Sequence, residues 1–200
     1  RIYSQLAPDC AKTFAEIASA AYSEELLPPD VEVGLDFQDR FTLSVPYYNP
    51  HSFATHVVVV EVNRDTGHVK IIKYIGVHDC GRIINPMIVE GQVHGAIAAG
   101  IGQALTEGMA FTDDGQPLTG SLMDYAVPMA ANTPVFETAT VETPSPLTPT
   151  GAKGVGELPT VAAPAAVANA VMAALNGVGV RHIDTPLTPE KIWRAIHGIE

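Results

Sequence analysis

THVVVVEVNRDTGHVKIIKYIGV, residues 55–77, is the stretch that decides the fold. Its first part, Thr55–Val62, is rich in β-branched residues, which favour extended chain. The next residues, Asn63–Gly67, are turn formers, and the glycine can adopt the positive φ that a tight turn needs. Val69–Val77 is then expected to return as a second strand. The sequence therefore predicts an antiparallel β-hairpin.

Helices are predicted after the hairpin. Asn85-Pro86 ends the extended chain, and a helix is expected over Ile88–Met109. Pro164 suits a first helical position and Asn176-Gly177 an end, which predicts a second helix between them. Another helix should start at Thr188-Pro189-Glu190. Hairpin and helices together predict a single α+β domain over residues 1–200, made of a β-hairpin plus glycine-rich helices.

The helix expected over 88–109 is unusual in its small residues. Each helical glycine costs about 1 kcal/mol relative to alanine. A helix that carries several must allow either another backbone or a bulky ligand to approach closely. The small residues are Gly91, Gly95, Ala96, Ala98, Ala99, Gly100 and Gly102.

Charge, cysteine content and apolar runs indicate which partners and which cellular location to expect. The net charge of −11 disfavours nucleic acid and anionic membrane surfaces as partners. Two cysteines, Cys10 and Cys80, are too few for a secreted disulfide scaffold, so a reduced, cytoplasmic location is expected. No apolar run reaches the roughly 20 residues that span a bilayer, so no transmembrane segment is expected.

A glycine-rich loop, Gly151–Gly156, ends at a glutamate. Three glycines in six residues leave backbone N–H groups able to approach an anion, although an ordinary loop can have the same composition. The spacing fits neither a P-loop nor a dinucleotide fingerprint. Glu157 is either a base whose pKa burial raises, or a glutamate stabilised near a helix start. The residue types alone leave both alternatives open.

Other reactive residues favour structural roles. None of the seven histidines pairs with another at a helical metal-ligand spacing, so no protein-ligated metal site is predicted. His94 is expected to be a packed core histidine, and Cys80 a small buried thiol. Asp79 and Arg82 are expected to form a structural ion pair.

Four motifs resemble the large subunits of xanthine dehydrogenase, aldehyde oxidase and carbon monoxide dehydrogenase. The residues of these motifs are most similar to those of the carbon monoxide dehydrogenase-like branch. The motifs occur in the family's order from about His51 onward. They are GAKGVGELPTVAAPAAVANAVMAAL (Gly151–Leu175), VHDCGRIINPMIVEGQVHGAIAAGIGQALTEGMAF (Val77–Phe111), SLMDYAVP (Ser121–Pro128) and PLTPEKIWRAI (Pro186–Ile196).

The resemblance implies a molybdenum hydroxylase with molybdenum on molybdopterin cytosine dinucleotide. By the GVGE match, Glu157 would be the active-site base that helps a water-derived oxygen attack the substrate. Gln92 would hydrogen-bond the molybdopterin, since an amide offers a donor and an acceptor together. Main-chain N–H groups of the loop would approach the cofactor; the loop residues are Lys153, Gly154, Val155 and Gly156.

The family also implies partners. This chain would be the carboxy-terminal part of a large subunit, active only with its amino-terminal part, a 2Fe-2S iron–sulfur small subunit and an FAD-binding medium subunit, as a dimer of heterotrimers. Carbon monoxide, aldehydes, purines and other N-heterocycles stay open as substrates. Ala96, Ala99, Thr148 and Thr150 depart from the residues common in the branch. The alternative is a non-catalytic assembly domain that keeps the fold without the cofactor.

Overall fold

A computed structural model describes residues 1–36, 38 and 50–199. The chain divides into two compact units, Arg1–Thr42 and Leu43–Glu200. The prediction of a single domain over residues 1–200 therefore stays a prediction.

The first unit contains a short antiparallel strand pair and a helix. Strand β1 (Ile2–Ser4) pairs with β2 (Ala7–Lys12), and helix α1 (Phe14–Ala21) follows. The helix begins at a reciprocal capping pair. The Glu16 N–H donates to the Thr13 hydroxyl at 3.2 Å, and the Thr13 N–H donates to the Glu16 carboxylate at 2.7 Å. Two otherwise unpaired donors of the first turn are thereby satisfied.

The second unit is built on the predicted hairpin, which the structure confirms. Strands β3 (Phe53–Val62) and β4 (Val69–Asp79) pair antiparallel, and β5 (Phe136–Thr140) adds to β4 in parallel. The register between β3 and β4 shifts once, at Val59/Val60. The sheet order is β3-β4-β5, so β4 is central. Together with the helices, this confirms the predicted α+β class.

The structure of the hairpin turn explains why position 67 is a glycine. The Asn63 side chain accepts the N–H groups of Asp65 and Thr66 at 2.9 and 3.1 Å, which closes the turn. Gly67 has a φ of 71°. A Cβ atom there would lie 1.9 Å from the carbonyl oxygen of Pro189. Only glycine therefore allows the turn to pack against the helix that begins at that proline.

Helices α2 (Pro86–Leu105) and α4 (Pro189–His197) lie near their predicted positions. Asn85 caps α2 by accepting the Ile88 N–H at 3.2 Å, and Pro86 fills the first turn, where its missing N–H costs nothing. Thr188 caps α4 by accepting the Lys191 N–H at 3.4 Å.

The predicted start of the next helix is wrong. Helix α3 spans Leu158–Leu175, and Pro164 lies inside it instead of at its first position. Pro159 takes the place in the first turn that Pro164 was expected to fill. An interior proline removes one helical hydrogen bond, and packing of the helix offsets that loss. As a result Glu157 is the N-cap residue of the helix.

Helices α2 and α3 run parallel and in close contact. The Thr160 hydroxyl donates to the Ala96 carbonyl at 3.1 Å. A Cβ atom at Gly100 would lie 2.5 Å from the Ala163 Cβ, so this glycine permits the approach of the neighbouring helix. In contrast, Cβ atoms at Gly91 and Gly95 would have nothing within 4 Å. The small residues of α2 therefore fall into a packed group and an open group.

Helix α3 is more apolar than the sequence analysis expected. Leu158–Val178, 21 residues, is long and apolar enough to cross a membrane by length and composition alone, so the expectation that no such run exists was wrong. The helix contacts α2 and β3. Its buried residues form one stripe spaced four apart, as in a helix that lies against a protein core. They are Pro159, Ala163, Val167, Val171 and Leu175.

The two groups of glycines should respond oppositely to alanine. Gly100→Ala should lower the free energy of unfolding by about 1–3 kcal/mol, because the added methyl group overpacks the contact between α2 and α3. Gly95→Ala, the matched control, should raise it by up to about 1 kcal/mol through helix propensity. Urea unfolding measures both. Wild-type or higher stability of the Gly100 variant would contradict the close approach of the helices.

Candidate functional site

The glycine-rich loop is held against the chain that follows β4. The Lys153 N–H donates to the Cys80 carbonyl at 2.7 Å, and the Arg82 N–H donates to the Gly151 carbonyl at 3.1 Å. A Cβ atom at Gly81 would lie 2.3 Å from the Gly151 carbonyl oxygen. The loop therefore begins from a fixed backbone contact that only glycine permits at position 81.

Beyond Lys153 the loop presents unpaired donors. Within the part of the chain that the structure describes, the N–H groups of Gly154, Val155, Gly156 and Glu157 have no hydrogen-bond partner. The Val155 side chain packs against the core, and the Ser52 hydroxyl donates to the Gly154 carbonyl. Both contacts hold the loop while its N–H groups stay available. Such an arrangement suits an anion or a cofactor with acceptor atoms.

Glu157 lies at the junction of this loop and α3. It is the N-cap residue, with φ −118° and ψ 6°, and its side chain makes no capping hydrogen bond. Its carboxylate is exposed and lines a cavity of about 430 Å³. Of the two alternatives left open by the residue types, the described residues supply the position at a helix start but not the burial. The other residues around this cavity are Gln103, Thr160, Val161, Pro164 and Ala165.

Gln92 lies beside the loop. It is exposed on α2, and its Oε1 is 3.9 Å from where a Cβ atom of Gly156 would lie. Gly91 and Gly95, on the same helix, leave open space next to it. The structure therefore brings together four of the predicted site residues. We call this surface the loop face; it consists of Gln92, Gly154, Gly156 and Glu157.

Lys153 differs from the other predicted site residues. Its ammonium lies 2.9 Å from the Asp79 Oδ1, and the two side chains are only 4% and 11% exposed. The expected ion pair between Asp79 and Arg82 is wrong, because the loop supplies the cation. The Lys153 N–H is used by Cys80, so the predicted contact of Lys153 with a cofactor stays a prediction.

Asp79 is a strongly stabilised carboxylate. Burial raises its pKa, but hydrogen bonds from Thr143, Lys153 and Gly81 together outweigh burial and hold the pKa well below the usual range. The adjacent Cys80 is buried, as predicted, and burial raises the pKa of its thiol. This cysteine is therefore poorly suited to act as a nucleophile.

Sequence reasoning missed a buried polar chain under the helices. His56 Nδ1 lies 2.8 Å from the Tyr74 hydroxyl, and His56 Nε2 lies 2.8 Å from His78 Nε2. A Cβ atom at Gly76 would lie 2.7 Å from the His78 ring, so the glycine makes room for it. The alternation of side chains along a strand could have indicated this cluster. Residues 74, 76 and 78 share one face of β4, and position 56 pairs with position 76.

Burial disfavours the protonated form of both His56 and His78. Burial, and then the charge of His78, lowers the pKa of His56 to about 4. Burial also lowers the pKa of His78, although the nearby Ala139 carbonyl opposes this; His78 Nδ1 itself has no partner within hydrogen-bonding geometry among the described residues. His94 is half-buried against the Phe136 ring, as a packed histidine would be, and its Nε2 is also unpartnered there.

A larger cavity, of about 890 Å³, lies at the other end of α2. Its walls are mostly apolar, and Ile101, Leu105 and Tyr125 contribute to them. About ten residues of helix, or roughly 15 Å, separate it from Gln92. Despite its size it is lined by none of the predicted site residues, whereas the smaller cavity is lined by Glu157.

Comparisons with known proteins agree on one family. The family described as "Molybdopterin cofactor-binding domain" matches residues 1–134. The nicotine 6-hydroxylase large subunit of Paenarthrobacter nicotinovorans is 42% identical over 188 residues, 94% of this chain and 23% of the relative. The carbon monoxide dehydrogenase large chain of Hydrogenophaga pseudoflava is 40% identical over 189 residues, 92% of this chain and 22% of the relative.

Solved structures give the same result. Carbon monoxide dehydrogenase from Oligotropha carboxidovorans superposes with a TM-score of 0.82 at 34% identity, over 96% of this chain and 23% of that one. Quinoline 2-oxidoreductase from Pseudomonas putida 86 superposes with a TM-score of 0.81 at 38% identity, over 97% and 24%. This chain thus spans about a quarter of the length of the proteins that it matches.

The neutral histidine pair predicts a pH-dependent stability. The folded state binds fewer protons than the unfolded state between the His56 pKa of about 4 and its ordinary value of 6.5. The contribution of His56 to stability should therefore fall as the pH drops from 6.5 towards 4 and change no further below that. His56→Gln, whose amide can still bond Tyr74, should flatten the curve, whereas His182→Gln at an exposed site should not. Urea midpoints at pH 7.5, 6 and 5 measure this, and parallel curves for all three proteins would refute it.

Proposed function

Because this chain belongs to the molybdopterin cofactor-binding domain family, we propose that it forms the cofactor-binding part of a molybdenum hydroxylase. The enzyme oxidises or hydroxylates a small substrate with a water-derived oxygen, and Glu157 is its active-site base. The observation that carries this proposal is the run of unpartnered N–H groups that ends at an unpaired glutamate. Four donors and one carboxylate in the four consecutive positions 154–157 favour a site over a packing element.

The loop face fits a molybdopterin. Its N–H groups and the start of α3 favour negative charge, and the exposed Gln92 amide offers both a donor and an acceptor to a pterin edge. The open space at Gly91 and Gly95 lets a bulky group approach the helix backbone. When bound, the molybdenum cofactor supplies the two-electron oxidation. We propose the cytosine dinucleotide form, as implied by the sequence resemblance.

Glu157 accepts a proton in this scheme. Its side chain has no hydrogen-bond partner among the described residues, so it is free to take a proton from a reacting group. The backbone on both sides of Glu157 is held in place, because the Lys153 N–H donates to the Cys80 carbonyl and α3 packs against α2. In the proposed enzyme, other parts of the large subunit shield this exposed carboxylate from bulk water.

The whole enzyme contains further parts. The relatives are described as large subunits or large chains, and a further relative as subunit gamma of a 6-hydroxypseudooxynicotine dehydrogenase complex. We propose that this chain works with an amino-terminal large-subunit portion, a 2Fe-2S subunit and an FAD-binding subunit, as a dimer of cytoplasmic heterotrimers. Electrons leave through those partners.

Removing the proton acceptor should stop turnover and spare the cofactor. In the complete enzyme, Glu157→Gln should lower kcat by about 100- to 10,000-fold, because a positioned general base contributes that much. Molybdenum content should stay at the wild-type level. Glu190→Gln, which changes an exposed glutamate on α4, is the matched control and should keep wild-type turnover. Near-normal turnover of the Glu157 variant would reject the assigned role.

Filling the open space on α2 should displace the cofactor. Gly95→Leu adds a side chain where nothing lies within 4 Å, so the fold should tolerate it. The purified assembly should nevertheless contain several-fold less molybdenum and molybdopterin. Metal analysis and a thermal melt are the two measurements. If wild-type protein, purified with its partners, contains no molybdenum, the alternative of a non-catalytic assembly domain is correct instead.

A further inference from the structure

The ion pair between Lys153 and Asp79 lies at the root of the glycine-rich loop. Asp79 ends β4, and its Oδ1 accepts not only the Lys153 ammonium at 2.9 Å but also the N–H groups of Gly81 at 2.8 Å and Thr143 at 3.2 Å. The ammonium also lies 5.0 Å from the centre of the Phe53 ring. Four separate stretches of the chain thus meet at one buried carboxylate and one buried ammonium.

A contribution to the stability of the fold does not by itself explain why this buried ion pair is present. Two buried charges lose their hydration, and apolar residues of similar size often stabilise a fold as well or better. What the pair does supply is a fixed place for the loop. Directly after Lys153 come the four unpartnered N–H groups, the last of which is that of Glu157.

Lys153 and Glu157 are close together in the sequence. Glu157 is the fourth residue after Lys153, and α3 begins at the next residue. The loop is therefore fixed at one end by the pair and its backbone bonds to Cys80 and Arg82, and at the other end by the packed helix. A shift of about 1 Å at a reacting group can cost about 100-fold in rate.

We propose that Lys153 and Asp79 are positioning residues, whose buried ion pair sets where the loop N–H groups and the Glu157 carboxylate lie. The Lys153 side chain thus acts through Asp79, and its main-chain N–H donates to the Cys80 carbonyl. This inference rests on the proposed function, because it concerns the placement of the same base.

The test uses a paired substitution in the complete, molybdenum-loaded enzyme. A single substitution would leave one buried charge unpaired and endanger folding. The double variant Asp79→Asn with Lys153→Met removes both charges and keeps the side-chain shapes, and the asparagine can still accept the N–H groups of Gly81 and Thr143. The matched control is Lys73→Met with Glu137→Gln, which removes a pair that is 46% and 59% exposed between β4 and β5.

Two measurements separate positioning from mere stability. Hydrogen exchange at the Lys153 and Arg82 amides should become about tenfold faster, because the loop root loosens. At unchanged molybdenum content, kcat should fall about 100-fold with KM nearly unchanged. The control pair should change neither value.

A kcat per bound molybdenum within about twofold of wild type in the double variant would overturn the positioning role, whatever the thermal melt shows. Failure of the proposed function is seen separately, as wild-type turnover of Glu157→Gln. Amide exchange at the loop root needs no turnover, so the two failures can be told apart.

Discussion

The backbone contact between Cys80–Arg82 and Gly151–Lys153 is the constraint on which the site depends. Two hydrogen bonds, of 2.7 and 3.1 Å, join segments about 70 residues apart, and Gly81 leaves no room for a side chain between them. This contact fixes the loop relative to the central strand, and therefore relative to α2. This contact and the packing of α2 against α3 together bring Gln92 and Glu157 to one surface.

Local patterns predicted the secondary structure well, because they act over a few residues. The β-branched run before Gly67 specified the hairpin, and Asn85 and Thr188 specified two helix starts through their capping side chains. Pro164 misled the prediction, since a helix interior tolerates a proline when tertiary packing compensates for the lost bond. The family motifs, a non-local kind of information, identified the residues of the loop face.

Long-range pairing could not be predicted from the sequence. Arg82 is three residues from Asp79, but the cation that pairs with that carboxylate is Lys153, 74 residues later, because the loop returns to the end of β4. The chain formed by His56, Tyr74 and His78 likewise requires the strand register to be known. The glycines of α2 could be counted but not divided into packed and open groups until α3 was in place.

Glu157 is exposed in this chain. The proposal that it is the active-site base therefore requires other parts of the assembly to enclose it. An experimental structure of the complete, cofactor-loaded enzyme tests this most directly. We predict that the carboxylate will be shielded from bulk water and within hydrogen-bonding reach of the molybdenum ligand sphere, directly or through one water. A carboxylate that points into open solvent, with the pterin bound on another surface, would contradict it.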